Sequence, residues 1–143
     1  MQFQGVNRED AERVFQIVYN VAGATTDLGD SVVWDISASV DGLRVTQPAT
    51  ATLSLFVGVA IENIADSSYG RVQCYGYRTQ ALITNTTNQA IAAGDILIPV
   101  NAVDYLARSA ASDGKSGFVY AAEAFATATT PAAALKKVLI RAL

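Results

Sequence analysis

The residue types that carry most enzyme chemistry are scarce in this chain. It has no histidine and one cysteine, Cys74. Without histidine a Ser-His-Asp or Cys-His relay cannot be built, and the commonest metal ligand is missing. A metal site would have to come from carboxylates alone. Glu9, Asp10 and Glu12 sit close together, while Asp27, Asp30, Asp35 and Asp41 are dispersed. The cluster reads as a solvated polar arm rather than a ligand set. Asp30 and Asp95 each follow a glycine and open a β-branched run, which predicts turn chemistry: an aspartate carboxylate accepting nearby backbone N–H groups. Gly114-Lys115-Ser116 has the closing residues of a phosphate loop. Ala110 stands where that loop's first glycine belongs, and no helical pattern follows, so no phosphate site is read there. No catalytic residue, metal ligand or cofactor site is expected. What remains are outward-facing aromatics, and Phe3, Tyr69, Tyr75 and Tyr77 form the candidate interaction surface.

The elements that must position these aromatics are strands. Tyr69–Arg78 alternates apolar and polar residues like a half-buried strand, with Val72 and Cys74 inward and Arg71, Gln73, Tyr75 and Tyr77 outward. Cys74 therefore reads as a buried thiol, and as a lone cysteine it has no partner for an intrachain disulfide. At Gly76 the apolar phase flips to Ala81 and Ile83, which predicts a bulge or sharp bend. Residues 52–64 alternate with a period of two, Leu53, Leu55, Val57, Val59 and Ile61 on one face, and read as a long core strand. Trp34 lies on the inward phase of the run that starts at Ser31. Asp41-Gly42 is a hairpin signal, and Pro48 ends the following strand. Residues 11–22 fit helical and strand spacing; their β-branched and aromatic content favours a strand over 13–21, with Phe15, Ile17, Tyr19 and Val21 on one face. Ala132–Leu135 reads as a helical turn before a closing strand at 138–142.

Two stretches echo one another. Leu28-Gly29-Asp30-Ser31-Val32-Val33-Trp34 is matched by Ala93-Gly94-Asp95-Ile96-Leu97-Ile98, and Phe56–Ala60 by Phe118–Ala122. The chain thus reads as an all-β domain, barrel-like or sandwich, built from two approximately repeated β-units with Tyr69–Thr84 carrying the chain between them. Residues 1–12 form an extended N-terminal arm, and 13–143 a single β domain.

Composition narrows the partners. Charged residues are 16% of the chain, against roughly 25% in an ordinary soluble domain. So neutral a surface is expected to be partly buried against other subunits. The net charge is −3, and the basic residues are scattered, which argues against nucleic-acid binding. No apolar run is long enough for a membrane helix, and Met1–Gln4 lacks the pattern of a signal peptide, so neither membrane nor export is expected.

Four segments, Tyr19–Thr25, Gly29–Asp35, Tyr69–Tyr77 and Ala92–Pro99, resemble those of small tailed-phage head proteins of the capsid decoration, or cement, type. The resemblance spans about residues 13–125. It implies a β-barrel-like virion protein on the capsid exterior that binds the major capsid protein and reinforces the shell, with no catalytic residues and no cofactor. It implies a homotrimer, with a dimer as the alternative. The polar arm and the Ala-rich 126–135 linker depart from the simplest members. The competing reading is a binding module that holds host-surface carbohydrate on its exposed tyrosines.

Overall fold

The computed structural model describes residues 12–37, 41–85, 89–109, 117–126 and 132–142. Those residues form nine strands: β1 (Val14–Asn20), β2 (Ser31–Trp34), β3 (Arg44–Thr46), β4 (Phe56–Ala60), β5 (Tyr69–Thr84), β6 (Ile96–Pro99), β7 (Leu106–Arg108), β8 (Val119–Ala121) and β9 (Ala133–Arg141). The domain is all-β, as expected. Phe3 and the Gly114-Lys115-Ser116 run lie outside the described residues.

Five strands close into a barrel. β1 pairs with β3 in parallel, β3 with β2, β2 with β4, β4 with the first half of β5, and β5 returns antiparallel to β1. Four further strands build on the second half of β5. β7 joins it in parallel, β6 pairs with β7 and β8, β8 with β9, and β9 runs antiparallel along β5 from Thr84 back to Tyr75. β5, 16 residues long, is the one strand common to all of this. Closure leaves few open edges, the usual hazard of an antiparallel sheet.

β5 changes partners at its glycine. Tyr75 pairs with Val14 on one side and Arg141 on the other. Gly76 next to it has φ +98°, and a Cβ there would collide with the Glu12 carbonyl oxygen. Only glycine suits both the left-handed backbone and the close passage of the entering chain. A second irregularity falls between Arg78 and Ala81. The phase flip expected at Gly76 is corrected: the buried phase stays on even positions through Arg78 and moves to Ala81 and Ile83 only across this second irregularity, while Gly76 marks where β5 passes from β1 to β9 as its neighbour.

Two apolar clusters flank β4. Val57 and Ala60 join Val18, Val32, Val45, Ile64 and Val72, with Trp34 packed half-buried against them. Phe56 and Val59 join the other, with Ala81, Ile83, Leu97, Leu106, Val138 and Ile140 among its members. A bulge in the β2–β4 ladder, between Val32 and Val33, lets β4 feed both sides. All five β4 residues are buried. Arg78, itself buried, ties this strand to β5: its Nη2 donates to Ala60 O at 2.8 Å and its Nε to Gln80 O at 2.6 Å.

Three further sequence expectations are corrected. The long core strand over 52–64 is a short strand preceded by a 3-10 turn at Leu53–Leu55. Local bonds capture that segment first: Leu55 N–H donates to Thr52 O, and Thr52 Oγ1 exchanges bonds with Ala49. The alanine-rich start of the last element is strand from Ala133, not a helical turn, because β5 offers it backbone partners from Leu82 to Thr84. Gln73, read as outward, is buried; its amide donates to Tyr75 O and Tyr77 O and holds the backbone on both sides of Gly76.

Candidate functional site

The three described candidates all come from β5, and the strand separates them. Tyr75 and Tyr77 straddle Gly76. Their ladder partners on β9 are Arg141 and Leu139, and these four residues with Glu12 and Gly76 line an open groove of about 360 Å³. Tyr69 lies six residues earlier, about 20 Å along an extended strand. It is 65% exposed and packs on Tyr19, ring centroids 4.9 Å apart at 59°. The candidate surface is thus two patches rather than one strip.

Sequence reading missed the residues that complete both patches. Phe15 and Ile17 are 47% and 63% exposed. Their apolar phase on β1 was the natural choice for the core, yet Val18 and Asn20 occupy the interior instead. Asn20 fits because its side chain is fully bonded there: Nδ2 donates to Ala24 O and Ile64 O, and Oδ1 accepts from Ala22 N–H. Leu135 and Leu139 are likewise exposed on β9. The available signal was the strand alternation of residues 14–20, which puts Phe15 and Ile17 on one face without saying which face turns inward.

Charges are distributed unevenly around these patches. Arg44, Arg71 and Arg108 are paired with Asp41, Glu62 and Asp95. Hydrogen bonding to Arg71 lowers the Glu62 pKa, and the bonds from Leu43 and Arg44 N–H lower that of Asp41. Lys136 sits over the Phe125 ring at 4.8 Å. Arg141, at the rim of the groove, has no salt bridge to any described residue. The groove therefore offers aromatic and aliphatic surface beside a guanidinium, a set suited to a flat apolar ligand or to a partner's side chains.

The acid that stands apart is Asp30. Burial pushes its pKa up to about 6, against the lowering effect of its bond with Asp27, and the neighbouring Asp104 and Asp27 push in the same direction as burial. Its Oδ2 accepts Asp27 N–H at 2.7 Å, as Asp95 Oδ2 accepts Ala92 N–H at 2.8 Å. The turn chemistry expected for both aspartates is present. Among the described residues no group of three or more Cys, Asp or Glu is placed to hold a metal ion. Burial likewise raises the Cys74 thiol pKa, with Sγ 3.4 Å from Val14 O. Among the described residues no helix is long and apolar enough to cross a membrane.

No protein-family model matches the chain, and no curated protein matches it.

Proposed function

We propose that this chain is a structural virion protein without catalytic activity, a capsid decoration or cement protein. In this reading it binds the outer surface of the major capsid protein shell as a homo-oligomer, a trimer before a dimer, and stabilises the shell. The observation that supports it is where the apolar surface lies. Of the seven large hydrophobic side chains exposed among the described residues, six are on three adjacent strands: Phe15 and Ile17 on β1, Tyr69 and Tyr75 on β5, Leu135 and Leu139 on β9. Apolar residues gathered on neighbouring strands, here in two patches, support a role in binding partners, whereas single scattered ones do not. Each copy would bury such patches against its neighbours, and binding only the assembled shell would stabilise that shell by mass action.

The two-unit organisation belongs to the same reading. Gly29 N–H donates to Ala60 O and Gly94 N–H to Ala121 O. Ala60 N–H donates to Asp30 O and Ala121 N–H to Asp95 O. The bridges Thr26–Ile64 and Ile91–Phe125 close each turn, and Glu62 and Glu123 accept the N–H of Arg71 and Lys137. These correspondences support a repeat of one β-unit, β5 serving as the last strand of the first and the first strand of the second. The arm, residues 1–12, would then add contacts to neighbours.

The groove of Tyr75, Tyr77, Leu139 and Arg141 favours the second reading, a carbohydrate-binding module, because aromatic faces and a charged donor suit a sugar ring. Quantitative mass spectrometry of purified virions, with a glycan array run in parallel, separates the two. A copy number comparable to the major capsid protein's supports the shell reading. Absence from the particle with glycan binding intact overturns it.

A further inference from the structure

One internal contact of the chain has both of its halves repeated elsewhere, and there both halves are bare. Inside the chain the Gly29 turn sits on the β5–β9 ladder. Gly29 O accepts Leu82 N–H at 2.8 Å, Ser31 N–H donates to Asp104 O at 2.7 Å, and a Cβ on Gly29 would collide with the Leu135 side chain. Across β4 from this turn, where Ser31 pairs with Val59 and Val59 with Gln73, Gln73 is buried. The bonding partners given above place Gly94 in the position of Gly29, and Lys137 in that of Arg71. Counting along β9 and β5 from that last pair puts Leu139 in the place of Gln73 and Tyr69 in the place of Leu135. Tyr69 pairs with Tyr19 as Leu135 pairs with Leu82.

The second set of surfaces is open. Among the described residues nothing lies within 4 Å of a Cβ built on Gly94. Ala92, Ala93 and Leu139 are exposed. On the receiving side Ile17 and Tyr69 are the two most exposed large hydrophobics among the described residues. We infer that the two bare halves meet between copies: the Gly94 turn of one copy docks on the β1–β5 face around Ile17 and Tyr69 of the next. The contact is head to tail, with different patches on the two partners, and it closes as a ring if the rotation between copies allows. This rests on the reading of the chain as a homo-oligomer of repeated units, and it names the interface. The match departs from the internal contact at one bond. Tyr19 N–H is taken by Leu43 O at 2.9 Å, so the incoming turn must use the next outward N–H of that edge, which strand alternation assigns to Ile17.

Two full-length variants test this by complementation. Ile17→Glu spoils the receiving face and Ala93→Glu the docking turn; both positions are exposed, and both variants should keep the wild-type circular dichroism. By sedimentation velocity the wild-type protein should be larger than a monomer, and each variant alone should be monomeric. An equimolar mixture should give a 1:1 dimer and nothing larger, because it contains one intact pair of patches and one carrying two glutamates. Should Ile17→Glu fail to fold, Tyr69→Ala repeats the receiving-side arm. Wild-type assembly with variants that assemble as well as it does, or with a mixture that stays monomeric, overturns the head-to-tail contact and leaves the oligomer reading standing. A wild-type monomer overturns both.

Discussion

Asp30 gives the protein a pH dependence opposite in sign to that of its hydrogen-bonded aspartates Asp35 and Asp41. Its pKa is raised from 3.8 to about 6, first by desolvation and then by Asp104 and Asp27. A folded state that holds the proton more tightly than the unfolded chain is favoured by acid. The contribution is fully present below about pH 3.8 and is lost as pH rises through about 6. At about 1.36 kcal/mol per pH unit the cost of ionised Asp30 is about 3 kcal/mol, and solvent screening of a partly wetted carboxylate reduces it to about 1–2 kcal/mol. Asp30→Asn removes the charge and keeps an oxygen that can accept Asp27 N–H. The variant should therefore be more stable than wild type by about 1–2 kcal/mol at pH 7–8, with the difference closing as pH falls to about 4. Urea unfolding of both proteins from pH 4 to 8 measures this directly. The window is separate from that of Asp35, Asp41 and Glu62, whose lowered pKa values give stability that is lost only as pH falls below the ordinary carboxylate range. A variant less stable than wild type at pH 8, or a difference that does not change with pH, would refute the reasoning.

Three further perturbations probe the strand that organises the fold. Gly76→Ala should cost more than the ~1–2 kcal/mol of a left-handed alanine, because the new Cβ also meets the Glu12 carbonyl; a thermal midpoint within a few degrees of wild type would show that the chain entry is free to shift. Gln73→Leu removes the amide bonded to Tyr75 O and Tyr77 O and should cost about 1–3 kcal/mol by leaving carbonyls unsatisfied, measured by denaturant unfolding, with no loss as the contrary result. Cys74 should react slowly with a thiol reagent in the native protein and rapidly in denaturant, being buried with its thiol pKa raised; fast native labelling would place it on the wrong face of β5.

Much of the architecture was legible because turns and alternation are local. The two Gly-Asp turns, the inward Val72 and Cys74 and the strand at 14–20 were readable from neighbouring residues, whereas the phase flip assigned to Gly76 falls at Arg78–Ala81. Errors arose where tertiary partners decide. A period of two at 52–55 is captured by turn bonds at Thr52, and the Ala-rich 132–135 segment becomes strand only because β5 supplies a ladder. Gln73 looks like a solvent residue until its amide meets two carbonyls at the bend. The exposed apolar surface was the least legible feature. Phe15 and Ile17 carry the pattern of a core face, and only the bonding of Asn20 inside the barrel turns them outward. Tyr75 and Tyr77 were found from β5 alone, but Leu139 and Arg141, which complete their groove, lie more than sixty residues later and reach it through the β5–β9 register.

The proposal that this chain reinforces a capsid is tested most directly on shells stripped of it. Purified wild-type protein added back should co-sediment with the shells and raise the temperature at which they rupture, with saturation at a fixed ratio to the major capsid protein. The Ile17→Glu and Ala93→Glu variants should bind more weakly, because they cannot assemble. Shells that neither bind the wild-type protein nor gain thermal stability from it would contradict the cement reading.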